Sequence, residues 1–115
     1  MQSMSDQEIL AIVTPMAETM LTGWDENNRE KFNSYFSEKV RQFITQEEFD
    51  MQRAEMFPVL GKHTNLTFID IQKKPTEIEV RWEVTCTERS LPWLVTCVFS
   101  KPEQGVIMTA AWPKY

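Results

Sequence analysis

The spacing of apolar residues along this chain changes once, near Gly61, and that change dictates the architecture. Before it, apolar side chains recur every three to four residues, the repeat that turns one face of a helix inward. After it they recur every second residue, as in a strand with one dry face. Helices followed by strands, with no βαβ alternation, make an α+β fold. No repeat, low-complexity tract or Ser/Gly linker divides the two halves, and 115 residues suffice for one core, so residues 1–115 are expected to form a single domain.

Ser5 and Glu8 have the spacing of a capping box and should open the first helix. Its stripe runs Ile9, Ile12, Val13, Met16, Met20 and Trp24, with Gly23 as a stop signal. Pro15 falls inside the stripe, which predicts a kink, or a restart capped by Thr14. Asp25 to Asn28 is turn chemistry, and Phe32, Tyr35 and Phe36 mark a short second helix. Val40 to Ile44 reads as a strand or a helical turn. Thr45 and Glu48 repeat the capping-box spacing for a third helix carrying Phe49, Met56, Phe57 and Leu60, stopped by Gly61. Three amino-terminal helices are therefore expected.

Four strands follow. Leu66 to Ile71 would place Leu66, Phe68 and Asp70 on one face and Thr67, Ile69 and Ile71 on the other. Glu77 to Thr87 alternates Ile78, Val80, Trp82, Val84 and Cys86 against Glu77, Glu79, Arg81, Glu83 and Thr85. Leu91 to Ser100 sets Leu91, Trp93, Val95, Cys97 and Phe99 on one side, yet Leu94 and Val98 make the other side apolar too. Val106 to Trp112 sets Val106, Met108, Ala110 and Trp112 against Ile107, Thr109 and Ala111. Short turns at Lys74 to Thr76, Glu88 to Ser90 and Lys101 to Gly105 favour an antiparallel meander. A single helical layer leaves the second face of the last two strands uncovered, and an apolar patch of that kind marks an interface. The expectation is a homodimer packed through that sheet face, the alternative being a strongly curved sheet whose far side is partly shielded by the chain termini.

Taken in order, the long first helix, Gly23-Trp24-Asp25, a second helix ending at Tyr35-Phe36, the Val40 to Ile44 segment, Thr45-Gln46-Glu47-Glu48-Phe49, Leu60-Gly61-Lys62 and then long strands resemble the nuclear-transport-factor-2-like superfamily, also called cystatin-like. The resemblance spans nearly the whole chain and rests on lengths and apolar spacing. It implies a cone in which a curved antiparallel sheet wraps the long helix around a pocket, with frequent dimerisation through the sheet. It also implies a membership that includes enzymes such as ketosteroid isomerase and polyketide cyclases alongside binding domains. The Pro15 break and the scarcity of inward-facing acids and histidines depart from that pattern.

The pocket so implied would lie between the first helix and the inner sheet face, near Met16, Met20, Tyr35, Trp82 and Trp112, and would suit an apolar ligand. Asp70, by its parity with Leu66 and Phe68, is the acid whose position allows it to point into the pocket, against the reading of a strand-end carboxylate at the sheet rim before Lys73-Lys74. Two readings follow. The favoured one is a non-catalytic dimeric domain that binds a small apolar molecule or a protein partner in or beside its cone. The alternative is a small isomerase or cyclase in which Asp70 acts as base and Tyr35 as hydrogen-bond donor, since the isomerases of this superfamily pair a carboxylate with a tyrosine in an apolar pocket.

Other chemistries find little support. His63 is the sole histidine, so no multi-histidine metal site is available, and Glu77, Glu79 and Glu83 alternate with Arg81 along a wetted face. No phosphate loop, nucleophile elbow or cofactor motif occurs, and no cofactor is expected. Residues 1–60 hold 11 acids and 5 bases, residues 61–115 hold 6 and 7, and the formal charge of -5 disfavours nucleic acid and anionic membranes as partners. The longest apolar run, Ile9 to Val13, is too short to span a bilayer. Acids stand near the amino terminus where a secretory signal carries bases, and two cysteines, Cys86 and Cys97, match no disulfide framework. A cytoplasmic protein with reduced thiols is expected.

Overall fold

Ser5 accepts the backbone N-H of Glu8 at 3.2 Å while the Glu8 carboxylate accepts that of Ser5 at 2.9 Å, and this reciprocal cap starts the first helix. The computed structural model describes the backbone of residues 3–100 and 106–114 and the side chains of residues 3–100 and 106–109. Among these, the helices are α1 (Asp6–Asp25), α2 (Arg29–Asn33), α3 (Glu38–Phe43) and α4 (Gln46–Leu60), and the strands are β1 (His63–Lys73), β2 (Ile78–Cys86), β3 (Arg89–Ser100) and β4 (Ile107–Lys114). The strands form one curved antiparallel sheet in the order β1-β2-β3-β4, the expected meander. The turn expected at Lys101 to Gly105 lies outside the described residues.

Three features of the helical half differ from expectation. Of the two readings of Val40 to Ile44 the helical one holds: Val40 to Phe43 lie in α3, with Ile44 as its C-cap and its first turn capped by the Ser37 hydroxyl accepting from the Val40 N-H, and this short helix makes four before the sheet where three were expected. Helix α1 continues through Pro15 with no restart at Thr14, because one missing backbone donor is outweighed by the burial of Val13, Met16 and Ala17 around it. It also runs past Gly23. Its stop is Asn27, whose φ of 56° provides the left-handed residue of a Schellman motif. The Asn27 N-H donates to the Trp24 carbonyl at 3.2 Å and the Asn28 N-H to the Gly23 carbonyl at 2.8 Å. Gly61, by contrast, is the helix stop its position suggested, with φ 72° and its N-H on the Phe57 carbonyl at 2.7 Å.

The core lies between α1 and the inner sheet face. Ile9, Val13, Met16, Ala17, Met20 and Leu21 pack with Ile78, Val80, Trp82 and Val84 of β2, with Trp93, Val95, Cys97 and Phe99 of β3, and with Met108 of β4. Each large aliphatic buried there contributes about 1.5–3 kcal/mol relative to exposure. An aromatic cluster of Trp24, Phe32, Phe36 and Phe49 closes the helical end, Trp24 meeting Phe49 edge-on at 5.8 Å. The Tyr35–Phe36 segment adds to the sheet beside β4: the Met108 N-H donates to the Tyr35 carbonyl at 2.8 Å and the Ser37 N-H to the Met108 carbonyl at 2.9 Å.

Among the described residues the sheet has four register shifts, at His63/Asn65, Phe68/Asp70, Val84/Cys86 and Val98/Phe99, and the second and fourth alter the expected parities. In β1 the register slips between Phe68 and Asp70, so Phe68 lies opposite Trp82 but Asp70 lies opposite Arg81 and Ile71 opposite Val80. The extra residue rotates the rest of the strand by one side-chain position, and Asp70 leaves the face it shared with Leu66 and Phe68. In β4 the fourth shift, between Val98 and Phe99 of β3, pairs Met108 with Phe99 but Trp112 with Thr96. Met108 and Trp112 therefore do not occupy equivalent register positions, as simple alternation required.

Candidate functional site

Met16, Met20 and Trp82 come together between α1 and the sheet with 4%, 5% and 1% of their surface exposed. Trp82 stands edge-on to Phe99 at 6.3 Å and 86°. Met16, Met20 and Trp82 all belong to the buried core. Tyr35 sits elsewhere: 42% exposed, it is held by its backbone to Met108 at the β4 edge. The side chain of Trp112 lies outside the described residues.

Asp70 is on the outer face. Its carboxylate accepts from Arg81 Nε at 2.7 Å and from Arg81 Nη2, and that guanidinium holds the carboxyl below its ordinary range. The parity that pointed it into the cone fails at the bulge. Asp70 is on β1 and Tyr35 beside β4, the two opposite edges of a four-stranded sheet. Three interstrand steps of about 4.8 Å separate them, so they are not brought to one substrate.

The polar arrangement that does form centres on His63, whose partners lie far away in sequence. His63 Nδ1 is 2.5 Å from Asp25 Oδ2, His63 Nε2 is 3.2 Å from Glu18 Oε2, and the His63 backbone N-H donates to Asp25 Oδ1 at 3.1 Å. Asp25 and Glu18 are seven residues apart on α1, two turns, and hence on one face. The His63 and Asp25 side chains are 15% and 12% exposed, Glu18 44%. The hydrogen bond that His63 donates to the Asp25 carboxylate raises the His63 pKa above its ordinary value against the opposing cost of burial. Arg53 of α4 closes the same helix end, its Nε on the Trp24 carbonyl at 2.7 Å and its Nη2 on the Asp25 carbonyl at 3.1 Å. The only local signal for this arrangement was the seven-residue spacing of two acids, which does not announce a histidine 38 residues on.

Neither thiol is set up as a nucleophile. Burial pushes Cys97 up to about 12, and burial also raises Cys86, whose sulfur accepts the Trp93 indole N-H at 3.0 Å. Among the described residues no group of three or more His, Cys, Asp or Glu side chains is placed to hold a metal ion, and no helix is long and apolar enough to cross a membrane.

The outer sheet face divides lengthwise. Its β1–β2 half is polar, with Thr67, Asp70, Gln72, Glu79, Arg81 and Glu83. Its β3–β4 half carries Leu94, Thr96, Val98 and Ile107, of which Thr96 and Val98 are buried and Leu94 and Ile107 half-buried.

No family model matches the chain, and no curated protein matches its sequence. Solved structures do share its architecture. A designed NTF2 protein with five substitutions aligns over 94% of this chain and 99% of its own, at 13% identity and a TM-score of 0.59. A protein from Thiobacillus denitrificans, described as a calcium/calmodulin-dependent protein kinase type II association domain, aligns over 84% of this chain and 89% of its own, at 8% identity and a TM-score of 0.57. An uncharacterized cystatin-fold protein from Novosphingobium aromaticivorans aligns over 88% and 96%, at 17% identity and a TM-score of 0.47. The fold is thereby defined: the chain shares the α+β, nuclear-transport-factor-2-like fold of the first two of these structures.

Proposed function

We propose that this chain is a non-catalytic, homodimeric association domain of the nuclear-transport-factor-2-like fold, two copies meeting through the outer face of β3 and β4. The observation that carries the reading is the division of that face, where Leu94, Thr96, Val98 and Ile107 form an apolar half beside a charged one. Among the described residues the helices pack on the inner face, and of the outer half Thr96 and Val98 are already buried within one copy, so a partner would take from water what the half-buried Leu94 and Ile107 still expose. The charged half, with its Asp70–Arg81 pair, bounds the patch and gives the rim that such interfaces carry. One fold neighbour, described as an association domain, is consistent with assembly as the use of this architecture.

Two further observations favour this reading over catalysis or a small-molecule site. The acid and phenol of the isomerase reading stand at opposite sheet edges, and Met16, Met20 and Trp82 are covered by the protein's own packing. A protein partner beside the cone is thus favoured over an apolar ligand inside it. Burial raises the Cys86 and Cys97 thiols, which fits reduced, unreactive cysteines.

Light scattering after gel filtration tests the dimer. The wild-type chain is expected at twice its 13.6 kDa protomer mass. Leu94→Arg combined with Ile107→Arg is expected to run as a monomer with an unchanged circular dichroism spectrum, because both positions are only half-buried within one copy and accept a long cationic side chain. A monomeric wild-type protein at tens of micromolar would overturn the proposal.

A further inference from the structure

The imidazole of His63 stands between two carboxylate oxygens, Asp25 Oδ2 on Nδ1 and Glu18 Oε2 on Nε2. Carboxylates only accept. A neutral imidazole has one N-H and can satisfy one of them, whereas an imidazolium has two and satisfies both. With a neutral ring, the bare nitrogen's lone pair would face a carboxylate oxygen across a site where His63 is largely enclosed. We infer that His63 is a protonation-controlled latch: as imidazolium it fastens the last two turns of α1 to the first residue of β1, and its deprotonation releases one fastening.

The bond released is the one to Glu18. It is the longer, and Glu18 can turn to water, whereas Asp25 is nearly enclosed and also accepts the His63 backbone N-H. The charged and titratable groups around the latch are few. On α1 they are Glu18 and Asp25. On α4, Arg53 is committed to the Trp24 and Asp25 carbonyls. On β2, Cys86 lies opposite His63 in register, and on β3, Arg89 lies opposite Cys86. Lys62 precedes the histidine, and Glu88 donates its N-H to the Leu60 carbonyl in the adjoining turn. Among the described residues two acids thus face His63 directly, and no base is hydrogen-bonded to it. The raised His63 pKa agrees with this geometry. The stabilisation from the latch is complete below the ordinary value of 6.5 and is lost as pH rises through the raised folded-state value. The latch is closed in mildly acid solution and opens toward alkaline pH. It involves neither Leu94 nor Ile107 and stands apart from the proposed dimer.

Because this chain has a single histidine, its imidazole proton resonances titrate without overlap. The midpoint in the intact protein is expected above 6.5, lowered somewhat by Glu18→Gln and further by Asp25→Asn, since Asp25 gives the largest upward contribution. The melting temperature should exceed that of His63→Gln by about 5 °C at about pH 6, shrinking to about 1 °C at about pH 9. Hydrogen-exchange protection of the α1 amides from Glu18 to Asp25 should fall across the same interval in the wild type. A midpoint at or below 6.5, or a melting gap constant with pH, would overturn the latch. Should His63→Gln not fold, the Glu18→Gln titration still decides.

Discussion

Replacing Gly23 by alanine is expected to destabilise the protein by about 3 kcal/mol and lower its melting temperature by about 10 °C. The sign makes the test informative. Gly23 is inside α1, where alanine is the better helix former by about 1 kcal/mol, so local propensity alone predicts a gain. Tertiary structure reverses it. A Cβ at position 23 would lie 2.3 Å from the Phe32 backbone nitrogen, 2.7 Å from the Phe32 Cα and 2.9 Å from the Lys31 carbonyl carbon. These are backbone atoms of α2, which a rotamer change cannot move aside. The methyl must push α2 off α1, loosening Phe32 from Trp24, Phe36 and Phe49. Thermal unfolding followed by far-ultraviolet circular dichroism reads the result, and a variant more stable than the wild type would show that α1 and α2 do not meet backbone to side-chain-free face.

Trp82→Ala is the second large effect, a loss of about 4 kcal/mol in urea unfolding. Trp82 is on an inner strand, 1% exposed, between Phe68 of β1 and Val95 of β3 and edge-on to Phe99. Truncation removes the indole's packing and leaves a cavity that neighbouring strands cannot close without shifting the sheet. Trp82→Phe keeps an aromatic edge against Phe99 and should lose only about 1–2 kcal/mol. The pair of variants separates a core tryptophan from one lining an open pocket, for which truncation to alanine would cost under about 1 kcal/mol.

The elements legible in advance were those signalled by neighbours. Ser5 with Glu8 and Thr45 with Glu48 cap helices because each hydroxyl meets an N-H three residues away. The alternation from Ile78 to Val84 survives because β2 is an inner strand buried on the core face there, and it ends at half-buried Cys86, beyond a register shift. Edge strand β1 was less legible, since a bulge is permitted where one side is unpaired, and that bulge moved Asp70 to the outer face. Gly23 was read as a stop because glycine ends many helices, but the stop was Asn27, and the glycine instead gives α2 room to approach.

Local repeat and capping chemistry were sufficient to determine helices before Gly61, an antiparallel meander after it, and the apolar second side of β3, because each follows from side chains within a few positions of one another. The parity of Asp70, the use of Gly23 and the partners of His63 were decided only by the folded chain. Each depends on groups brought close from elsewhere, Arg81 across a strand pair, the Phe32 backbone across a helix crossing, Glu18 and Asp25 across the interface of helix and sheet. Such contacts are settled by the free energy of the whole assembly of elements, which no window of neighbouring residues contains.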